Sequence, residues 1–229
     1  MIVSKKSIKG VIFDLDGTLY TLGWMKLRMS LALLGSLGIL RRLSAARAAI
    51  RDHTFENKQK IMTALFEEIS KRANISPATA QEWYEGQFLL KFVHILDTKA
   101  HPRDGLEQLL KRLKSRGVKT AVLSDFGYVP QRLRALRLDV DLFDDLAAAE
   151  DFGVLKPSPK PLTALAEKWK LSPDNILMVG DREDMDMKSA KSAGMSFIGI
   201  TEKNKRGSNF DIWTTASNKI ETATTIWSA

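Results

Sequence analysis

One pattern constrains this chain more than any other. A short apolar run stops abruptly at a polar cluster, a helical stretch follows, and the sequence does this several times. The first instance is Val11-Ile12-Phe13-Asp14-Leu15-Asp16-Gly17-Thr18-Leu19. Val11, Ile12 and Phe13 read as a buried strand that ends at a loop. Asp14 and Asp16 fall on the same side while the backbone stays extended. Two carboxylates buried this close need a cation or a proton to compensate them. Gly17 permits the turn, and the Thr18 hydroxyl can tie the loop or meet a ligand. Taken alone, the segment also fits a plain strand-to-helix turn, so the rest of the chain has to decide.

The pattern resumes after Pro102. Asp104 and Glu107 have capping-box spacing, Leu106, Leu109, Leu110 and Leu113 recur at helical intervals, and Gly117 closes the helix. Val118–Leu123 is the next buried strand, stopping at Ser124-Asp125-Phe126-Gly127. Val129, Leu133 and Leu136 mark another helix. Leu142–Ala149 reads as a short strand ahead of Phe152-Gly153-Val154-Leu155-Lys156-Pro157, and Leu162, Leu165, Ala166 and Trp169 line the helix after it. Asn175–Val179 is an apolar strand running into Gly180-Asp181-Arg182-Glu183-Asp184-Met185-Asp186. A helix stops at Gly194; Phe197–Ile200 and Ile212–Thr215 read as the last strands, before a C-terminal helix. Strands alternating with helices predict an α/β fold, a parallel sheet covered on both faces. In such sheets ligands sit outside the carboxyl ends of the strands, where every polar cluster named here falls.

From Tyr20 to about Ala100 the strand signals vanish. Trp24–Arg51 is rich in Leu and Ala and carries Lys26, Arg28, Arg41, Arg42, Arg47 and Arg51 with no acidic residue; Gly35 and Gly38 divide it into two helices. Ile61, Met62, Leu65, Phe66 and Ile69 share a face of the next helix, which Asn74 can end. Ser76-Pro77 is an N-cap with proline at the first helical position, opening a helix towards Leu96. The basic run reads as a solvated face that attracts anions, against a membrane-surface or nucleic-acid role. His53, His94 and His101 lack metal-ligand spacing. The expected layout is a core of residues 1–20 and 101–229 with a helical-bundle cap over 21–100.

At 229 residues, 44% hydrophobic and 27% charged, the chain can bury one core plus a sizeable insertion. The absence of cysteine excludes disulfides and thiolate chemistry. A net charge of +8 suits an anionic ligand. The apolar run after Lys5-Lys6 is too short for a signal peptide, and Met29–Leu40 is too short to span a bilayer. These features predict a cytoplasmic protein, a monomer or homodimer, with no membrane span and no specific nucleic-acid partner.

Asp14-Leu-Asp-Gly-Thr, Ser124 after an apolar strand, Lys156-Pro157, and Gly180-Asp181 with Asp186 resemble, in order, the four motifs of the haloacid dehalogenase superfamily. The likeness covers nearly the whole chain and is to the phosphatase branch, phosphoglycolate phosphatases included, whose helical cap lies between the first two motifs. It implies a Rossmann-like three-layer α/β/α core, Mg²⁺ as cofactor, and hydrolysis of a small-molecule phosphate ester through an aspartyl-phosphate. By that resemblance Asp14 is the nucleophile and Asp16 the general acid and base. Thr18, Ser124 and Lys156 bind phosphate, and Asp14, the Asp16 backbone carbonyl, Asp181 and Asp186 serve the metal. Alone, Ser124 would pass for a turn residue and Lys156 for a surface lysine; their places at strand ends promote them. Many relatives carry Asn where this chain has Asp125, which adds negative charge near a phosphate. Asp184 reads as an N-cap or an acid behind the metal ligands, and Arg182 as their partner or a solvated cation. A sugar phosphomutase of the same superfamily is the close alternative, and a silent polyanion-binding module the distant one.

Overall fold

The computed structural model describes residues 7–23, 25–202 and 210–225, so Trp24 and the Lys5-Lys6 pair lie outside the described residues. Six strands form one parallel sheet: β1 (Gly10–Phe13), β2 (Lys119–Ser124), β3 (Asp145–Ala148), β4 (Ile176–Gly180), β5 (Ser196–Ile200) and β6 (Phe210–Asp211). Their order is β3-β2-β1-β4-β5-β6. From β1 the chain builds outwards through β2 and β3, then returns to the other side of β1 for β4. Loops leaving β1, β2 and β4 therefore converge at one edge, the usual ligand crevice of such sheets.

Alternation along the strands feeds two apolar layers. Val11, Phe13, Val122, Leu177 and Val179 face one side, where α6 (Leu106–Ser115), α7 (Val129–Ala135) and α10 (Trp213–Thr224) contribute Leu109, Leu113, Leu133 and Ile220. Ile12, Ala121, Leu123 and Met178 face the other, against Leu162 and Leu165 of α8 (Lys160–Trp169) and Ala190 of α9 (Lys188–Ser192). The three-layer α/β/α core expected from the alternation is present. With both faces covered, β1 is buried at all four positions, as its unbroken apolar run requires.

Among the described residues between β1 and α6 come five α-helices and no strand: α1 (Met25–Ala32), α2 (Leu37–Ile50), α3 (Lys58–Ala73), α4 (Pro77–Trp83) and α5 (Leu90–Lys99). Asn57 and Ser76 cap α3 and α4 with their side chains, and Asn74 takes the left-handed conformation that ends α3. A π-helical turn over Tyr84–Leu89 joins α4 to α5. The two strands of chain entering and leaving this bundle meet at a bridge between Tyr20 and Pro102, with the Arg103 N–H donating to the Leu19 carbonyl at 2.9 Å.

Four local expectations need correction. The basic stretch is two helices as expected, with Gly35 in the 3₁₀ turn Leu34–Ser36 between them and the chain bent by 83° after Ala32, but Gly38 lies inside α2 and takes no part in the break. Asp104 and Glu107 do not cap α6; left-handed Gly105 precedes it, and Glu107 pairs with Lys111 instead. Val140–Leu142 forms a 3₁₀ turn, so the third strand starts only at Asp145. The last strand is Phe210–Asp211, and the residues expected there begin α10, whose Trp213 indole donates to the Asp104 carbonyl at 2.7 Å.

Candidate active site

Asp14 follows the last residue of β1 and is buried. Its carboxylate accepts from the Lys156 ammonium at 2.6 Å through one oxygen and from the Thr18 hydroxyl at 3.0 Å through the other. Lys156 is buried as well and also reaches Asp186 at 2.8 Å. Gly17, at φ 87°, turns the loop back so that Asp181 can approach; a β-carbon there would meet the Asp181 carboxylate at 2.2 Å. A β-carbon on Gly180 would likewise collide with Asp186 at 2.5 Å. Glycine at position 17 lets the first and fourth loops close on each other, and glycine at 180 lets the fourth loop fold Asp186 back against the end of β4.

The result is a dense acidic cluster. Oxygens of Asp14, Asp181 and Asp186 lie within 4.8 Å of one another. Burial pushes the Asp14 carboxyl well above its ordinary range; Lys156 opposes this, while Asp186, Asp16 and Asp181 add to it. Asp181 is pushed up to about 6, by burial first and then by Asp186. For Lys156, burial disfavours the ammonium, but Asp14 and Asp186 outweigh it and hold the pKa above the usual lysine range. Three carboxylates thus face a single ammonium. Asp181 Oδ1 is buried and has no hydrogen-bond partner among the described residues. A donor set made wholly of carboxylate oxygens, in charge excess and with one oxygen orphaned, fits a hard divalent cation such as Mg²⁺.

Asp16 points elsewhere. Its carboxylate accepts from the Tyr20 hydroxyl at 2.5 Å, from Ser124 Oγ at 3.3 Å and from the Arg132 guanidinium. Ser124, the final residue of β2, is buried and also accepts from the Phe126 N–H and from Arg132 at 3.0 Å. All the predicted site residues therefore meet at this edge, in two linked groups. Asp14, Thr18, Lys156, Asp181 and Asp186 form one; Asp16 and Ser124 form the other.

Asp125 is turned away: its carboxylate accepts the Lys156 backbone N–H at 2.9 Å and so shapes the third loop. Arg182 and Asp184 pair with each other on the exposed rim, which puts Asp184 outside the cluster. The Arg182 N–H instead donates to Asp186 at 3.1 Å. Among the bundle's cations, Arg47 is not solvated. It is buried, donates to the Asp125 carbonyl at 2.6 Å, and lies 4.3 Å from the Phe126 ring centroid.

Three further residues belong to the site and escape sequence reading. Arg132 is fully buried, and Phe92 of α5 covers it with its guanidinium carbon 4.4 Å from the ring centroid. Burial works against its charge, but Asp16 and Tyr20 outweigh that and raise its pKa. Tyr20, raised by burial and by Asp16, stays a phenol and donates. Arg103 clamps the first loop through the Thr18 and Gly17 carbonyls at 2.8 and 2.7 Å.

Known proteins resemble this chain in sequence and in fold. A glyceraldehyde 3-phosphate phosphatase of Pyrococcus furiosus is 35% identical over 95 residues, which are 41% of this chain and 40% of that protein. The match to such relatives therefore spans well under half of their length. A phosphoglycolate phosphatase of Vibrio cholerae is 28% identical over 202 residues, 86% of this chain and 85% of its own. Among solved structures, a 2-haloacid dehalogenase from Pseudomonas syringae superposes with a TM-score of 0.64 at 21% identity, covering 94% of this chain and 97% of its own, a likeness of fold. The model of the haloacid dehalogenase-like hydrolases matches residues 8–194, most of the chain and every loop of the site. The chain belongs to the haloacid dehalogenase-like hydrolase family.

Proposed function

We propose that this protein is a phosphatase that hydrolyses a small phosphomonoester, with Mg²⁺ as cofactor and Asp14 as the nucleophile. One observation carries the reading: a buried carboxylate at the end of the central strand, steered by Thr18 and Lys156, inside a cluster with an orphaned oxygen. Asp14 and Asp181 with the Asp16 backbone carbonyl would hold Mg²⁺, Asp186 standing beside them; the ion would neutralise the repulsion between a carboxylate and a phosphate dianion. The chain's own residues do the rest. An Asp14 oxygen attacks phosphorus as the ester P–O bond breaks, and Asp16 passes a proton to the leaving oxygen. Asp16 then takes a proton from water as that water attacks the phosphoryl group, releasing inorganic phosphate and restoring the Asp14 carboxylate. The Lys156 ammonium and the Ser124 hydroxyl donate to the phosphoryl oxygens, where charge accumulates.

The helical bundle of residues 21–100 acts as the cap. Phe88 and Phe92 pack on Phe126 beside Ser124, at centroid distances of 5.6 and 6.1 Å, and Arg47 covers that ring as well. So closed a seam favours a short leaving group. The two phosphatase relatives, named for glyceraldehyde 3-phosphate and phosphoglycolate, support a substrate of two or three carbons.

The test is Asp14→Asn, which removes the attacking charge at nearly constant volume. Turnover of a phosphate-ester panel with Mg²⁺ should vanish, and a phosphoryl group trapped on Asp14 of the active protein should be absent from the variant. Substantial activity in the variant would sink the covalent mechanism. Isomerisation of a sugar phosphate without phosphate release would reassign the chain as a mutase.

A further inference from the structure

Helix α1 buries some of its large apolar residues and exposes others, Leu27 between Lys26 and Arg28 among them. Met25, Met29 and the following Leu33 are buried, yet Leu27, Leu31 and Leu34 on the outside are 49%, 57% and 63% exposed. Leu90, at the start of the helix against which α1 packs, is 52% exposed. Among the described residues these four are the exposed large hydrophobics, and all lie on this one part of the bundle. Large aliphatic side chains exposed together on one part of a surface call for cover there.

Basic residues outnumber acidic ones around these leucines, with Glu82, Glu85 and Asp97 as the acids. Lys26, Arg28, Arg41, Arg42, Lys91 and Lys99 lie on or beside the same helices, and Asp97 is the one acid in 24–51 and 90–99. Among the described residues, none of the six cations sits in an ion pair. Arg28 and Arg42 spend a donor each on the carbonyls of Lys99 and Gly38. A second copy docked across a two-fold axis would set these cations against themselves, so the cover has to be anionic. Aliphatic side chains ringed by Lys and Arg match acyl chains under acidic headgroups. The helical pair is apolar enough for a membrane, but the 83° bend leaves neither arm long enough to cross.

We propose that this face of the cap docks on the surface of an anionic lipid bilayer, its leucines at the acyl boundary and its cations among the headgroups. The proposal stands apart from the reading of the active site.

Flotation of the full chain with vesicles of phosphatidylcholine, alone or with about a third phosphatidylglycerol, tests it. The expected result is at least about tenfold more binding to the anionic vesicles, weakening as salt rises. Leu31→Glu with Leu34→Glu should lower binding on the order of a hundredfold. Arg41→Glu with Arg42→Glu should lower it by roughly tenfold or more, while circular-dichroism melting stays at the parent temperature. Should the leucine pair fail to fold, the arginine pair, on an exposed surface, still decides. Equal binding to both vesicle types, no binding, or unchanged binding by the folded variants overturns the proposal. Binding to immobilised polyglutamate without binding to vesicles also overturns it, and assigns the face to an acidic protein.

Discussion

Asp16 owes its orientation to Tyr20, Ser124 and above all Arg132, which also donates to Ser124 Oγ and the Phe126 and Gly127 carbonyls and lies over the Phe92 ring. A proton donor matters most when the leaving oxygen is strongly basic, and least for a nitrophenolate. Arg132→Met removes the guanidinium fork but keeps an apolar stem. It should slow an alkyl phosphate about tenfold more than p-nitrophenyl phosphate. Breaking a buried pair also costs on the order of 3 kcal/mol, so both esters are to be assayed below the variant's melting range. Equal losses on the two would reduce Arg132 to packing. The contrast with Asp14, Ser124, Lys156 and Asp181 shows what a sequence discloses at this scale. Those residues stand where apolar runs end, a local signal. Arg132 is 116 positions from Asp16, and only its place on the stripe of Val129, Leu133 and Leu136 marks it. An arginine on the buried face of a helix needs a partner, but nothing local names which.

Elements meet at a charged seam. Arg47 from α2 and Lys58 from α3 each approach Glu150 at 4.0 Å; Lys58 also pairs with Asp151, and the Phe55 N–H donates to the Gly153 carbonyl. Glu150 is buried, its Oε2 facing Arg47 without a hydrogen bond among the described residues, and burial lifts its carboxyl to about 6 although Arg47 and Lys58 pull it down. A raised carboxylate pKa means the fold binds a proton that the unfolded chain has already released. Its contribution to stability is therefore greatest at low pH and falls as pH rises from about 4.5 through 6. The full difference is about 2 kcal/mol. Glu150→Gln removes the titration. Urea unfolding at closely spaced pH values should show the variant's advantage growing across that window and levelling off above it; a difference independent of pH would mean that Glu150 does not titrate there. The strands were legible because runs such as Val11–Phe13 and Ile176–Val179 are too apolar for anything but a sheet covered twice. In the cap, Asn74 and Ser76-Pro77 marked the end of α3 and the start of α4, but other limits were not legible. The π turn at Tyr84–Leu89 and the place of Gly38 inside α2 carry no local signal, while packing between helices, as when the Trp83 indole donates to Ser36 at 2.8 Å, fixes how these segments meet.

For the whole molecule, the acidic cluster is a liability that a bound cation would turn into stability. Asp14 and Asp181 both have pKa values raised by burial and by their acidic neighbours, so the folded state without metal holds charges that repel. A ligand that binds only the folded state stabilises it by about 2.7 kcal/mol at a hundred times its dissociation constant. In a chain of 229 residues each kcal/mol moves the melting temperature by about 2–4 °C, so saturating Mg²⁺ should raise it by roughly 5–10 °C. The sheet carries the site at the ends of β1 and β4, and the shift should therefore appear in the transition that melts the sheet. Should the helices of residues 25–99 melt separately, their step should move less. Asp181→Ala deletes the carboxylate with the orphaned oxygen and relieves repulsion at once. Its metal-free melting temperature should match or exceed the parent's, while its Mg²⁺ shift should nearly vanish. Scanning calorimetry of both proteins, with chelator and with millimolar Mg²⁺, reads all four values. A parent curve unmoved by Mg²⁺ would remove the metal from the proposed chemistry; an equal shift in the variant would place the ion elsewhere on the chain.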